Sequence, residues 1–173
     1  MKNIISLLIF IVAFSSCDNK KVTLKKVDTA NEKEAINNVL DAWHKSAAEA
    51  NFETYFEAMT KESIFIGTDA LENWKNTEFK EFSKPYFDKG KAWSFTSIER
   101  NIYLYKDGKV AWFDELLETH MGICRGSGVI TKNENNWNIE HYVLSLTIPN
   151  DNIDDVIKIN KEKDSLFLSQ LKR

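Results

Sequence analysis

Hydrophobic residues recur at helical spacing in the first half of the chain and at alternate positions in the second. The early pattern predicts a helix that begins at a capping box formed by Thr29 and Glu32. Asn51 is expected to end this helix, and a short second helix follows it. A third helix is predicted over 78–84, and Pro85 is expected to end it because proline lacks the backbone N–H that an interior helical residue donates.

In the rest of the chain hydrophobic and polar residues alternate, and this period of two predicts strands. The dipeptide Asp107-Gly108 suits a tight hairpin turn, because glycine tolerates a positive φ. The expected strands cover 64–66, 93–96, 102–105, 110–120, 123–132 and 137–148. Helices gathered early and strands gathered late indicate an α+β fold, in which the helices pack on one face of a curved antiparallel sheet.

Residues 1–16 have the parts of an export signal, namely a basic start, an apolar core and two small residues at the end. The apolar run is too short to cross a membrane as a helix, which needs ~20 residues. The segment Phe14-Ser15-Ser16-Cys17 resembles the lipobox of bacterial lipoproteins, with Phe where Leu is usual. That resemblance implies cleavage before Cys17, acyl chains on the new first residue, and a protein anchored to a membrane of the bacterial cell envelope. An ordinary cleaved signal with a chance cysteine is the alternative.

The rest of the chain divides into a lipidated cysteine with its tether at 17–30, a domain at 31–150 and a helical tail at 151–173. The tail is expected to be a docked helix, a frayed helix or a segment that binds another envelope protein. The chain carries 23 basic and 26 acidic residues without a basic block, which argues against a nucleic-acid partner. With Cys17 lipidated, Cys124 has no partner for an intrachain disulfide, and we expect it to be buried.

Several short segments between residues 32 and 149 follow one another in an order that resembles a known protein family. They are Leu40-Asp41-Ala42-Trp43-His44, Phe65-Ile66-Gly67-Thr68-Asp69-Ala70, Trp74, Lys84-Pro85-Tyr86-Phe87, Val110-Ala111-Trp112-Phe113-Asp114-Glu115, Cys124-Arg125-Gly126-Ser127-Gly128-Val129, Trp137-Asn138-Ile139 and His141-Tyr142. Together they resemble the SnoaL-like branch of the nuclear transport factor 2-like superfamily. The resemblance implies a cone-shaped half-barrel with an open pocket, of the kind also called cystatin-like, and homodimers that pack sheet against sheet. The superfamily contains isomerases, cyclases and dehydratases beside members without catalysis, so the fold does not decide the function.

Three carboxyl groups are candidates for acid–base catalysis. Asp69 lies near the position where the isomerase relatives place a proton-shuttling carboxylate, although it also suits the N-cap of a short helix over 70–74. Asp114 and Glu115 are neighbours on one predicted strand, so that one of them is expected to face the pocket and the other the opposite side. A carboxyl group in apolar surroundings has a raised pKa and can act as a general acid or base.

Other side chains are candidates for binding. Arg125 can hold an anionic ligand or form a purely structural ion pair. His141 and Tyr142, on the last strand, can steady a developing oxyanion or serve as ordinary core residues. The aromatic residues are numerous enough to line a pocket, although most are expected to be core, and they are Trp43, Tyr55, Phe65, Trp74, Phe82, Tyr86, Trp93 and Trp112.

The motifs of several other chemistries are missing from the sequence. The three histidines show no paired-ligand spacing, and Gly126-Ser127-Gly128 is neither a nucleophile elbow nor a phosphate loop, so that no metal or cofactor is expected. Two functions stay open. The first is non-catalytic binding of a small, apolar or anionic molecule by a dimeric envelope module. The second is an acid–base enzyme of the isomerase, dehydratase or hydrolase sort that acts on a small apolar substrate.

Overall fold

The structure of the chain, a computed structural model, describes residues 27–171. The predicted signal at 1–16, Cys17 and most of the predicted tether lie outside that range. The elements in chain order are α1 (Thr29–Ala48), α2 (Phe52–Glu57), β1 (Met59–Ile66), β2 (Asn73–Lys75), α3 (Asn76–Asp88), β3 (Thr96–Leu104), β4 (Val110–Thr119), β5 (Gly122–Asn133), β6 (Asn136–Leu146), a short 3₁₀ helix (Asn150–Asn152) and α4 (Ile153–Leu171).

The six strands form one curved sheet in the order β2-β1-β6-β5-β4-β3. The predicted α+β class is confirmed: α1, α2 and α3 pack against the concave face, and the core lies between these helices and the sheet. All neighbouring strands are antiparallel except β1 and β6, which run parallel. The antiparallel sheet that the sequence predicted therefore contains one parallel pair. It arises because β6, the last strand of the meander, lies beside β1 and runs in the same direction.

The start of α1 is fixed by a cap and by an ion pair. The N-cap is Asp28, one residue before the predicted Thr29, and its side chain accepts a hydrogen bond from the first turn at 3.3 Å. Glu32 does not close a capping box. It contacts Lys132 Nζ at 2.6 Å and accepts a hydrogen bond from Trp137 Nε1 at 2.9 Å, which joins α1 to the β5–β6 hairpin. The hydrogen bond from Lys132 is the main reason that the pKa of Glu32 is lowered.

Pro85 lies inside α3 and does not end it, which corrects the prediction. The helix continues to Asp88 and thereby brings Phe87 into the core, on the same buried face as Phe79 two turns earlier. Burial of such a side chain stabilises by roughly 1.5–3 kcal/mol, comparable with the cost of about 3 kcal/mol for an interior proline. The ring centres of Phe79 and Phe65 are 4.0 Å apart, so this face of α3 is tightly packed on β1.

Two segments without regular secondary structure, one before β2 and one before β3, differ from their predictions. Trp93 and Phe95 belong to no regular element, and their alternation arises because both rings pack inward, against Tyr55 at 5.5 Å and against His44 at 6.1 Å. The residues after β1 form a turn where a helix was predicted over 70–74. The carboxylate of Asp69 accepts a hydrogen bond from a backbone N–H two residues later at 2.9 Å, an Asx turn, and β2 then pairs with β1.

The hairpins of the meander decide which side chains face the helices. The turn at Asp107-Gly108, where Gly108 has φ +68, sets the register that places Arg100 on β3 opposite Glu115 on β4. Side chains alternate along β4, so that Glu115 faces the concave side and is buried, whereas Asp114 faces the outer side.

The chain enters the domain beside the β3–β4 turn, where a β-carbon on Gly108 would lie 2.8 Å from Val27 Cγ1. β4 leads from this turn to His120 at the other end of the sheet. α4 lies outside the cone and buries no residue fully, and with the turn at 68–71 it borders an open groove of about 550 Å³. No helix in the part of the chain that the structure describes is both long and apolar enough to cross a membrane.

Candidate functional site

A buried carboxylate, Glu115, is held by three side chains inside the cone. Its Oε1 accepts a hydrogen bond from the Tyr142 hydroxyl at 3.0 Å and lies 2.9 Å from His44 Nε2. Its Oε2 accepts a hydrogen bond from Arg100 Nε at 2.9 Å, and Arg100 Nη2 lies 2.8 Å away. Glu115 is 1% exposed. We call these four residues the Glu115 cluster, and both carboxylate oxygens in it have two protein contacts.

Arg100 connects the cluster to the surface. Its Nη1 donates to Asp41 Oδ1 at 2.7 Å and to Asn37 Oδ1 at 3.2 Å, both on α1. The Arg100 side chain is 6% exposed, whereas the Asp41 side chain is 65% exposed. The buried guanidinium therefore lies between one buried and one solvent-facing carboxylate, and it places a permanent positive charge beside Glu115.

Gly126 makes the contact between Tyr142 and Glu115 possible. It lies on β5, between β4 and β6, opposite Glu115. A β-carbon at this position would lie 2.2 Å from Tyr142 Oη and 3.0 Å from Glu115 Cγ. The glycines at 126 and 128 thus serve packing across the sheet, since a β-carbon on Gly128 would lie 2.4 Å from the backbone oxygen of His141.

The protonation states of the cluster follow from its contacts. Burial by itself raises the pKa of Glu115, but the hydrogen bond and charge of His44, and then of Arg100, outweigh it, so that the pKa lies below its ordinary value of 4.5. Burial, and then the charge of Glu115, raise the pKa of Tyr142 well above 10.0. An ionised carboxylate of low pKa is a weak base and has no proton to donate. The predicted raised pKa of a pocket carboxyl is therefore wrong for Glu115.

An apolar cavity of about 170 Å³ opens at the mouth of the cone. The aromatic residues that line it are Phe65, Trp74, Phe79, Phe82, Trp93 and Phe95. Trp74 stacks on Phe82 and on Phe79, with ring centres 4.4 Å and 5.6 Å away. No member of the Glu115 cluster lines this mouth cavity, because Phe65, which packs on Tyr142 at 5.6 Å, and Phe95, which packs on His44 at 6.1 Å, lie between the two.

Three polar side chains, those of Thr68, Glu72 and His120, line the mouth cavity from its rim, and that of Thr68 is exposed. Glu72 is half-buried, and its Oε2 accepts a hydrogen bond from the backbone N–H of Asp69 at 3.1 Å. His120 is exposed in the β4–β5 turn. Most of the cavity surface is therefore aromatic, and its polar groups meet solvent.

The predicted aromatic ligand contacts occupy different places. Trp74 lines the mouth cavity, whereas Trp43 and Tyr55 are buried in the core behind it. Tyr86 is exposed on α3. Trp112 is exposed on the outer face of the sheet, where it stacks on Tyr103 at 5.9 Å.

The predicted polar site residues are not brought together. Asp69 lies in the exposed turn before β2. Asp114 and Arg125 face each other on the outer side of the sheet, 3.6 Å apart, and His141 faces the same side on β6. Only Glu115 and Tyr142 point into the cone. In residues 27–171, no three His, Cys, Asp or Glu side chains converge as metal ligands would, and the Cys124 thiol is free and buried.

Two members of the cluster, His44 and Arg100, are not among the candidates that the sequence suggested. Both had a signal. His44 follows Leu40 by four residues and therefore falls on the buried face of α1. A hairpin closed at Asp107-Gly108 pairs position 100 with position 115, so that Arg100 is the expected neighbour of Glu115.

The fold and the site define an α+β cone with an aromatic mouth cavity and a buried ionic cluster. Residues 36–149 match the family described as a SnoaL-like domain, and the chain belongs to that family. No curated protein matches the chain.

Solved structures show the same fold at low sequence identity. A nuclear transport factor 2-like protein of unknown function from Pseudomonas putida KT2440 is 11% identical, with 70% of this chain and 90% of that chain covered and a TM-score of 0.59. A candidate aromatic ring hydroxylase from Novosphingobium aromaticivorans is 14% identical, with coverages of 69% and 92% and a TM-score of 0.59. The association domain of C. elegans CaMKII is 20% identical, with coverages of 68% and 97% and a TM-score of 0.56.

Proposed function

We propose that the domain binds a small, largely apolar molecule in the mouth cavity and does not chemically transform it. The observation that carries this proposal is the separation of the two parts of the site. The cavity is lined by stacked rings, whereas the buried carboxylate is ionised, engaged by three side chains and screened from the cavity by Phe65 and Phe95. A surface of this kind favours flat apolar ligands, because such a ligand both buries apolar area and stacks on the aromatic rings.

Trp74→Ala is expected to weaken binding of a flat apolar probe, 2-isopropylnaphthalene, by roughly 2–10-fold, the effect of one lost aromatic contact. The measurement is the dissociation constant from the fluorescence of the naphthalene ring. The matched control is Trp112→Ala, which removes an exposed tryptophan from the outer face of the sheet. Equal binding by the two variants, or no binding by the unmodified protein, would contradict the proposed site.

An acid–base enzyme is the second candidate, and one observation favours it. The 2.9 Å contact between His44 and Glu115 is the arrangement in which a carboxylate orients an imidazole base. The solved structure that is described as a candidate aromatic ring hydroxylase belongs to the same fold. Conversion of a bound probe by the unmodified protein, and its loss in Glu115→Gln at a temperature where circular dichroism shows that variant to be folded, would establish this candidate over the first.

We also propose that the protein is a homodimer whose subunits meet through the outer faces of their sheets. The stacked pair of Tyr103 and Trp112 is exposed there, beside the ion pair of Asp114 and Arg125. Exposed apolar patches with a polar rim are typical of protein interfaces. The structural similarity to an association domain is in line with this proposal.

Trp112→Lys is expected to convert the dimer to a monomer, because it places a charge at the centre of the apolar patch. Light scattering coupled to size-exclusion chromatography measures the mass. Tyr86→Lys, at an exposed aromatic on α3, is the control and keeps the dimer mass. A dimer that survives Trp112→Lys would exclude this face.

We further infer that Cys17 carries acyl chains and holds the protein on a membrane of the bacterial cell envelope, on the periplasmic face or at the cell surface. The support for this is the signal-like segment 1–16 followed by the lipobox-like Phe14-Ser15-Ser16-Cys17. More than one acyl chain gives stable anchoring, since each buried methylene contributes ~0.8 kcal/mol.

A further inference from the structure

Unpaired polar atoms gather at one place inside the cone. In residues 27–171, the buried side-chain atoms without a hydrogen-bond partner are Trp43 Nε1, Tyr55 Oη and Arg100 Nη2, the last lying near Glu115 outside hydrogen-bond geometry. A buried polar atom without a partner costs about 1–3 kcal/mol. Trp43 packs against both Tyr55 and Tyr142, with ring centres 5.0 Å and 4.8 Å away, so that Trp43 and Tyr55 lie beside the cluster to which Arg100 belongs.

Four rings that line the mouth cavity also pack against this polar interior. Phe65 and Phe79 are held on β1 and α3, and lie 5.6 Å from Tyr142 and 6.2 Å from Tyr55 between ring centres, whereas Trp93 and Phe95 lie in an irregular segment. The ring of Trp93 meets Tyr55 edge-on at 5.5 Å, and the ring of Phe95 meets His44 at 6.1 Å. Both line the mouth cavity and both lie in residues 91–95, which form no helix or strand. The segment follows Gly90, whose φ is +73. Trp93 and Phe95 are therefore the two rings of this barrier that no helix or strand holds in place.

The chemistry of the interior restricts what can enter it. Trp43 Nε1 is a donor. Burial raises the pKa of Tyr55 well above 10.0, against a smaller opposing effect of the Trp93 indole, which can only donate, so that the Tyr55 hydroxyl also keeps a proton to donate. Arg100 is already engaged by Glu115 and Asp41, and the ionised Glu115 repels an anion. A neutral oxygen that accepts hydrogen bonds is the group that fits.

We propose that the ligand is neutral and elongated, with a flat apolar body beside Trp74 and one acceptor oxygen that reaches Tyr55 Oη, with Trp43 Nε1 as a second donor, once Trp93 and Phe95 move aside. This inference rests on the proposed function and names the ligand class of the same site. Movement of the two rings also enlarges the site, whose 170 Å³ is below the ~300 Å³ at which pockets for drug-sized ligands begin.

The test compares three naphthalene probes on the full mature protein. They share one body and carry a ketone (2-acetylnaphthalene), no oxygen (2-isopropylnaphthalene) or an anion (2-naphthoate). We expect the ketone to bind roughly tenfold more tightly than the hydrocarbon, the effect of one hydrogen bond, and the anion to bind more weakly than the ketone. Tyr55→Phe is expected to abolish the preference for the ketone without changing the affinity for the hydrocarbon.

The outcomes distinguish this inference from the proposed function. Equal affinity for ketone and hydrocarbon, with binding of both weakened by Trp74→Ala, would overturn the inference and keep the mouth site. If no probe binds, the proposed function fails as well. Because the proton of the Tyr55 hydroxyl has no acceptor among the described residues, Tyr55→Phe is expected to keep the melting temperature, and a clear drop would show that the hydroxyl is already used within the fold.

Discussion

Replacement of Glu115 by Gln is expected to destabilise the domain by about 3–5 kcal/mol, the usual cost of breaking a buried ion pair. The variant keeps the size of the side chain but leaves the Arg100 guanidinium buried, with the exposed Asp41 as its remaining counter-charge. For a domain of this size the melting temperature falls by about 10 °C. Thermal unfolding followed by circular dichroism measures the change.

Asp114→Asn is the matched control, because it removes the neighbouring carboxylate from a loose, partly exposed pair with Arg125. Its expected cost is under about 1 kcal/mol. Gly126→Ala tests the same cluster from the other side, since the new β-carbon would displace the Tyr142 hydroxyl from Glu115. A Glu115→Gln variant as stable as Asp114→Asn would show that the cluster contributes nothing to the fold.

The effect of Glu115→Gln also depends on pH. The pKa of Glu115 in the folded protein is lowered, so its contribution to stability is present above the unfolded value of 4.5 and is lost as the pH falls through the folded value. The difference in the free energy of unfolding between the two proteins is therefore expected to stay constant near neutrality and to narrow below about pH 4.5.

Cys17→Ser is expected to move the protein from the membrane fraction to the soluble fraction entirely, because the serine oxygen cannot form the thioether through which we propose that the lipid is attached. Fractionation of expressing cells and mass measurement of the mature protein show the change. Cys124→Ser is the control, since that thiol is buried in the domain, and it keeps the membrane attachment. If Cys17→Ser stays in the membrane fraction, or if the unmodified protein has the mass of a free cysteine, the proposed anchor is wrong.

The sequence predicted the order of elements and the fold class because the long elements repeat their pattern often enough. It missed features that depend on packing between elements. Trp93 and Phe95 alternate like a strand but are drawn inward from an irregular segment, and Pro85 is carried inside α3 because Phe87 is buried beyond it. A three-residue strand such as β2 offers too few positions to show a period.

The site was less predictable, for a reason visible on β4. Both faces of this strand carry apolar side chains. Phe113 and Leu117 are on the same face as Glu115, and Trp112 and Leu116 are on the same face as Asp114. The pattern therefore predicted that one carboxylate faces inward but did not decide which one. The mouth cavity lies where β1, β2, α3 and the segment before β3 come together. A hydrophobic pattern within one element does not predict contacts between elements that are distant in sequence.

The position of Val27 has a consequence for how the domain is presented. It lies beside the β3–β4 turn, whereas the mouth cavity lies at the other end of β4, by His120. The ten residues of β4 cover about 33 Å. In a molecule held at Val27, the mouth cavity therefore lies about 33 Å along the sheet from the point of attachment, so that a surface at that point leaves the opening clear.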